Sequence, residues 1–185
     1  MEQIETLKKI KELHNPNLRV VDLIGKQHMC LQEVETLTSQ QFTDYCREVV
    51  DKGTCQYYTN LRKGNRLSYE TSNLLKDTKD KILDVQDIIS TSKSCHLCPY
   101  EIAILKAREA NVLIMDYYHI FSPSISAAFL KKTEKALENS IIIVDEAHNL
   151  PMRMRDSLSS KLTLTTVERA IKEAQYYETT IGYLE

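Results

Sequence analysis

The sequence contains only four glycines and four prolines among 185 residues, and it has no tryptophan. The glycines, at positions 25, 53, 64 and 182, are too far apart to form a GxxxxGK(S/T) phosphate loop or a GxGxxG dinucleotide loop. No apolar run approaches the roughly 18 residues of a membrane helix, and the opening MEQIETLKKIKEL is charged and amphipathic rather than signal-like. The sequence therefore predicts a soluble intracellular protein without a glycine-rich nucleotide loop.

The composition also lacks any strong excess of one charge. A net charge of -2 excludes a strongly basic, histone-like binder, and a hydrophobic content of 42% excludes a disordered tail. The length is a little more than one typical domain, which is enough to bury a core without disulfides. Binding partners must therefore be inferred from local features of the sequence.

Short apolar runs predict the fold class. Three of them have the length and composition of buried parallel strands, and they span residues 19–25, 111–116 and 140–145. Between the second and third, a helix is predicted from the cap Ser122, with Pro123 at its first position, to Asn139. A strand, helix and strand in this order form a crossover, so the sequence predicts an α/β fold with part of a parallel sheet.

The stretch from residue 26 to residue 98 interrupts this pattern and is predicted to be a small, mainly helical domain that contains all five cysteines. Thr38 and Gln41 form a capping box for a helix to residue 51, and a second helix is predicted at 80–89 with a polar loop between them. The sequence predicts four segments with domain boundaries at residues 1–25, 26–98, 99–150 and 151–185. The last contains an alternating segment at 161–164 and a helix capped by Thr165 with Glu168.

The cysteines are odd in number and too few for a disulfide scaffold, which favours metal or cluster ligation in a reducing compartment. They are Cys30, Cys46, Cys55, Cys95 and Cys98. Pro99 makes Cys98 the predicted cap of a helix, where the helix dipole would lower the pKa of its thiol. The pair Cys95 and Cys98 forms a CxxC that can equally begin a zinc site with Cys46 and Cys55. Each cysteine can also be a small buried apolar residue.

Two further segments have the residues for chemistry or binding. The run IIIVDEAH places Asp145 and Glu146 at the carboxyl end of a predicted strand, where open α/β sheets bind ligands. In a nucleoside triphosphatase, Asp145 would hold Mg²⁺, Glu146 would polarise the attacking water, and His148 would sense the phosphate state. The alternative interpretation is a solvated acidic turn.

From Lys52 to Tyr69 the chain has a local charge of +4 with interspersed tyrosines, a pattern suited to the phosphates and unstacked bases of single-stranded DNA. The candidate contacts are Tyr57, Tyr58, Arg62, Lys63 and Arg66. An ordinary solvated loop with inward-packed tyrosines is the alternative. The segment 116–119 follows the second predicted strand and could line the same groove, although structural tyrosines are the better interpretation.

The run IIIVDEAHNL resembles the DEAH-type Walker B motif of superfamily-two helicases. Together with KQHMC, the cysteine insertion and CPYEIAILKAREANVLIMDYYHIF, nearly the whole chain resembles the iron-sulfur helicases of the XPD type. The resemblance implies a RecA-like motor sheet interrupted by an iron-sulfur domain, and an arch domain that begins after residue 150. It also implies ATP-dependent 5'-to-3' DNA unwinding, with roles of the nucleotide excision repair type. The resemblance further implies a [4Fe-4S] cluster whose ligands are Cys30, Cys46, Cys55 and Cys98. Cys95 is the alternative to Cys98 as the fourth ligand. Lys26 is implied to lie near both the cluster and the DNA.

The sequence departs from this family in lacking the Walker A loop and the later motor motifs. We therefore interpret it as a fragment that hydrolyses ATP negligibly, while the full-length enzyme would use ATP and Mg²⁺. The expected partners are single-stranded or forked DNA and repair proteins bound through the arch, with no membrane and a monomeric state. The compact insertion favours an archaeal, cytoplasmic protein, or a nuclear one if eukaryotic. A zinc-stabilised interaction module and a redox sensor using Cys95 and Cys98 are the alternatives.

Overall fold

The computed structural model describes residues 2–159 and 162–176, and the chain divides into two compact units, Met1–Ile142 and Ile143–Glu185. The described part is a mixed α/β structure that is mostly helical. The helices of the first unit are α1 (Glu2–Leu13), α2 (Ser39–Asp51), α3 (Gln56–Thr59), α4 (Tyr69–Asp77), α5 (Val85–Ser94), α6 (Pro99–Glu109), α7 (Tyr118–Phe121) and α8 (Pro123–Thr133). Its strands are β1 (Val20–Asp22), β2 (Arg62–Lys63), β3 (Arg66–Leu67) and β4 (Val112–Ile114).

A small parallel sheet joins two of the three predicted strands. Strand β1 pairs with β4 in parallel, with Val20 opposite Val112 and Asp22 opposite Ile114. The side chain of Asn111 accepts a hydrogen bond from the backbone N–H of Arg19 at 3.1 Å and so fixes the register at the start of the pair. These two predicted strands are confirmed, although each is shorter than the apolar run that suggested it.

The third predicted strand, at 140–145, is wrong. Residues 141–144 have no regular secondary structure, and Ile141 and Ile143 are 93% and 90% exposed. A strand needs a neighbour to accept and donate its ladder hydrogen bonds, and this segment has none among residues 2–159 and 162–176. The preceding helix is also shorter than predicted, because Glu134 adopts a left-handed backbone with φ 58° and α8 ends at Thr133.

In residues 26–98, the local capping residues explain where the helices begin and end. The Thr38–Gln41 capping box is present, and α2 ends at residue 51 as predicted. The second helix begins later than predicted, because Asp84 accepts a hydrogen bond from the N–H of Asp87 at 2.8 Å and defines the start. The predicted polar loop is partly wrong, since it contains the antiparallel hairpin of β2 and β3 and the helix α4.

One hydrophobic core spans segments from both sides of residue 98. Leu23, Met29 and Leu97 have no exposed surface, and Ile102 and Phe129 are 2% exposed in the same cluster. The segment 26–98 therefore packs against the segments that flank it, and the cysteine-bearing turns lie on a buried apolar base.

The second unit is helical in its described residues. It contains a 3-10 helix (Ala147–Asn149), α9 (Leu150–Leu158) and α10 (Leu164–Tyr176). The predicted cap of α10 at Thr165 is wrong, because the hydroxyl of Thr163 accepts the N–H of Thr166 at 3.2 Å. Lys161, the first residue of the predicted alternating segment, lies outside the described residues. None of the described helices has the length and apolar character needed to cross a bilayer.

Candidate four-cysteine site and basic hairpin

Cys55 is positioned by a turn that ends α2. Gly53 adopts φ 67°, its N–H donates to the carbonyl of Val50 at 3.0 Å, and the N–H of Thr54 donates to the carbonyl of Val49 at 2.9 Å. This pair of hydrogen bonds is the Schellman motif, which reverses the chain at a helix end. Cys55 follows directly and is the N-cap of α3.

The same motif ends α5 and positions Cys98. His96 has φ 54°, its N–H donates to the carbonyl of Lys93 at 3.1 Å, and the N–H of Leu97 donates to the carbonyl of Ser92 at 2.9 Å. The chain reverses between Cys95 and Cys98, and buried Leu97 fixes the turn to the core. His96 is itself exposed.

The two turns are tied together by one backbone hydrogen bond. Cys98 is the N-cap of α6, as predicted, and its N–H donates to the carbonyl of Tyr57 at 2.9 Å. Tyr57 lies two residues after Cys55, so this bond holds the caps of α3 and α6 side by side. The side chain of Tyr57 is half-buried here.

Cys30 and Cys46 are linked through Gln27, a residue that sequence reasoning missed as a positioning group. Cys30 ends the 3-10 helix Lys26–Met29. The amide nitrogen of Gln27, in that helix, donates to the carbonyl of Leu37 at 2.8 Å and to that of Val34 at 3.2 Å. These bonds secure the loop that leads into α2, the helix on which Cys46 lies.

Replacing Gln27 with alanine is therefore expected to loosen the approach to α2 and to reduce the iron retained after anaerobic gel filtration by about half or more. The change leaves the half-buried carbonyl of Leu37 unpaired, at roughly 1–3 kcal/mol if it stays dry, whereas the carbonyl of Val34 still accepts the N–H of Leu37. Gln40→Ala, an exposed change on α2, is the matched control and should retain wild-type iron. Equal iron retention by both variants would contradict the positioning role of Gln27.

The thiols of Cys30, Cys46, Cys55 and Cys98, here called the thiol cluster, lie close enough to influence one another electrostatically. Burial raises the pKa of Cys30, and a backbone hydrogen bond from Gln32 lowers it. Cys46 and Cys55 raise the pKa of Cys30 further. Burial likewise raises the pKa of Cys98 to about 12, with a smaller upward contribution from Cys30. The predicted lowering of the Cys98 pKa is therefore wrong, because desolvation outweighs the backbone hydrogen bond at the helix start.

Lys26 lies beside the thiol cluster rather than projecting fully into solvent. Burial alone would lower the pKa of its ammonium, but Cys46, Glu101 and Cys98 together raise the pKa above its ordinary value. Its Nζ lies 3.8 Å from the Glu101 carboxylate and 5.7 Å from the centre of the Tyr100 ring. Lys26 thus supplies positive charge where thiolates would concentrate negative charge.

Cys95 borders a surface depression that none of the other four cysteines lines. The depression has a volume of about 250 Å³ and is also lined by Thr59, Asn60, Arg62, Lys63 and Glu70.

The donor set of the thiol cluster, four thiols on separate elements, is of the type that an iron-sulfur cluster requires. No three His, Cys, Asp or Glu side chains in residues 2–159 and 162–176 gather closely enough to hold one ion. Zinc requires all its ligands at about 2.0–2.3 Å from one centre. In a [4Fe-4S] cluster each thiolate binds a different iron, so the four sulfurs lie farther apart. The half-buried thiols of Cys30, Cys46, Cys55 and Cys98 offer the donor type and the number that such a cluster needs.

The basic residues form a hairpin next to this site. Arg62 and Lys63 lie on β2, Arg66 lies on β3 opposite Lys63, and Gly64 opens the turn with φ 61°. These three cations are exposed, and none of them forms an ion pair within the part of the chain that the structure describes. We call this element the basic hairpin.

Aromatic rings flank the basic hairpin on both sides in sequence. Tyr58, on α3, is 36% exposed, and Tyr69, at the start of α4, is 74% exposed. Exposed rings beside unpaired cations are the combination that binds the bases and phosphates of a single strand.

The segment 116–119 has a structural role. The Asp116 carboxylate accepts the backbone N–H of Gly25 at 2.9 Å, which joins the ends of β1 and β4. His119 is 3% exposed and packs edge-on against Phe129 at 5.1 Å between ring centres. Burial lowers the pKa of His119 and so keeps it neutral.

The acidic motif lies in the second unit. The Asp145 carboxylate accepts the N–H of Glu146 at 2.9 Å, and Glu146 adopts a left-handed backbone with φ 49°. Nδ1 of His148 lies 3.1 Å from the Glu146 carboxylate. All three side chains are exposed, and two adjacent carboxylates offer the oxygen ligands that Mg²⁺ prefers.

The chain belongs to the DEAD_2 family, whose model matches residues 1–167. ATP-dependent DNA helicase CHL1 of Kluyveromyces lactis is 28% identical over 167 residues, which cover 89% of this chain and 20% of that protein. The regulator of telomere elongation helicase 1 homolog of Caenorhabditis elegans is 28% identical over 80% of this chain and 14% of its own length. The regulator of telomere elongation helicase 1 of Homo sapiens is 26% identical over 83% of this chain and 12% of its own length. The chain spans a fifth or less of the length of these relatives.

Proposed function

We propose that this chain is part of an ATP-dependent DNA helicase of the iron-sulfur type and that its thiol cluster holds a [4Fe-4S] cluster. The main support is that Cys46 and Cys55 influence Cys30 electrostatically and Cys30 influences Cys98, although the four lie on separate elements. Membership of the DEAD_2 family and the names of the helicase relatives support the same activity.

The cluster, when bound, would supply four iron–thiolate bonds that cross-link the 3-10 helix, α2, α3 and α6. The protein contributes the rest of the site. Gln27 sets the loop before Cys46, the two Schellman turns set Cys55 and Cys98, and Lys26 offsets the negative charge of the thiolates. The hydrophobic base under Leu97 keeps these turns rigid, which favours a cofactor-holding site.

In the full-length enzyme we propose that Asp145 holds Mg²⁺ bound to ATP, that Glu146 orients and polarises the attacking water, and that His148 responds to the phosphate through its contact with Glu146. This chain has no lysine-bearing phosphate loop, so alone it should hydrolyse ATP negligibly. The exposed apolar run at 141–143 is the kind of segment that a further strand of a larger motor sheet would cover.

Within this class we propose XPD-type, 5'-to-3' unwinding of forked DNA, of the nucleotide excision repair kind. Repair proteins would bind through the segment after residue 150, and the compartment would be the nucleus in a eukaryote or the cytoplasm in an archaeon. The basic hairpin and Tyr58 would contact single-stranded DNA. Tyr57, which is half-buried, would support the hairpin from the protein side. Lys26 would offset negative charge at the cluster, and it would contact the DNA only at the edge of the cluster site.

The hairpin contact is tested by a triple change of Arg62, Lys63 and Arg66 to alanine. We expect affinity for a fluorescent oligo-dT to fall at least tenfold at low salt, because three cations that neutralise phosphates are lost. The slope of log affinity against log salt should decrease by about 1 to 2, at roughly 0.7 for each phosphate that loses its cation. The control replaces three other exposed lysines, Lys9, Lys79 and Lys93, with alanine and makes the same change in net charge. Equal losses in both triples would show that only overall charge matters and would contradict a hairpin contact.

A further inference from the structure

The depression that contains Cys95 has a chemistry of its own, distinct from the thiol cluster. It has a volume of about 250 Å³ and lies at the base of the basic hairpin. Its floor is fixed by hydrogen bonds: Asn60 donates through Nδ2 to the carbonyl of His96 at 3.0 Å, and the hydroxyl of Thr59 lies 3.1 Å from the carbonyls of Cys55 and Gln56. The wall is therefore built by α3, the α5 turn and β2 together.

The unsatisfied groups in this depression are cationic. Arg62 and Lys63 line it without an ion-pair partner in residues 2–159 and 162–176, and Glu70 is the single carboxylate of the lining. A guanidinium binds a phosphate through two parallel hydrogen bonds, and an ammonium adds a point charge. The volume suits one phosphate with its sugar and is too small for a duplex. Tyr58 and Tyr69 leave flat rings exposed on the elements that adjoin β2 and β3.

We propose that this depression is a subsite for one backbone phosphate of a single-stranded nucleic acid, with the Cys95 thiol in its wall. The inference rests on the proposed function for the identity of the strand, and it adds a defined position and a chemical reporter. A phosphate held by Arg62 and Lys63 covers the thiol of Cys95. Conversely, a negative charge placed at Cys95 repels the phosphate from the same two cations.

The first test measures the rate of Cys95 alkylation by neutral iodoacetamide in the cluster-loaded protein, read by peptide mass spectrometry with and without saturating oligo-dT. We expect a slowing of at least fivefold that is lost when Arg62 and Lys63 are both alanine. Inorganic phosphate is run alongside at matched phosphate concentration. Equal protection by inorganic phosphate would identify a site for a free anion and would overturn the strand assignment.

The second test places a charge in the wall. Cys95→Glu is expected to weaken oligo-dT binding at least tenfold relative to Ser94→Glu, which makes the same charge change one residue away on the exposed end of α5. If oligo-dT binds but neither shields Cys95 nor distinguishes these variants, the subsite is wrong and the proposed function stands. If oligo-dT does not bind at all, both the subsite and the proposed nucleic-acid contact are overturned.

Discussion

Replacing Cys98 with serine is expected to remove nearly all iron from the anaerobically purified protein, whereas replacing Cys95 with serine is expected to leave the iron content unchanged. Cys98 lies in the thiol cluster beside Cys30, and Cys95 lies in a separate depression. A [4Fe-4S] cluster needs four thiolates, and a serine in place of one ligand weakens the binding of one corner iron. Unfolding temperature should fall together with iron in the Cys98 variant.

The pair of variants is informative because serine is well suited to the local structure at Cys98. Cys98 is an N-cap without a side-chain hydrogen bond to its helix, and serine is among the favoured N-cap residues. A loss of stability in Cys98→Ser therefore does not come from a weaker cap, and the iron content of the same sample separates loss of the cofactor from loss of packing against the core. Iron retained in Cys98→Ser but lost in Cys95→Ser would exchange the two assignments and contradict the ligand set proposed here.

Replacing Glu146 with glutamine in the full-length enzyme is expected to lower ATP hydrolysis by at least about a hundredfold, while binding of Mg²⁺ and ATP is retained. The amide keeps the shape of the side chain but cannot polarise the attacking water as a carboxylate does. Asp145, the proposed Mg²⁺ ligand, is left intact. The affinity for nucleotide should therefore change by less than threefold.

The measurement is steady-state phosphate release with single-stranded DNA present, together with nucleotide binding by fluorescence. Glu138→Gln is the matched control, because Glu138 is an exposed carboxylate in the 3-10 helix Leu137–Asn139, a few residues before the motif. Unchanged hydrolysis in Glu146→Gln, or an equal loss in the control, would contradict the proposed role of Glu146.

Features that depend on a few neighbouring residues could be predicted from the sequence. The capping box of Thr38 and Gln41 and the Pro99 that starts α6 act through adjacent backbone groups, and the apolar runs of β1 and β4 mark each strand by its own composition. The closeness of the four thiols was suggested by resemblance to a family, since residues as far apart as Cys30 and Cys98 carry no spacing signal for one another.

Features that depend on tertiary context were missed. The strands of the basic hairpin are two residues long and show no alternation, and the reversal at His96 uses a left-handed residue that is not glycine. The pKa of Cys98 was predicted in the wrong direction because a cap position is visible in sequence while the depth of burial is not. The apolar run at 141–144 predicted a strand, but a strand forms only where a neighbouring strand is available.

The most direct test of the central claim is the visible absorption of the anaerobically purified chain, with iron, sulfide and zinc measured on the same sample. The account predicts a broad brown absorption with about four irons and four sulfides per chain. A colourless protein with one zinc and no iron, or a chain that takes up neither iron nor sulfide on anaerobic reconstitution, would contradict it.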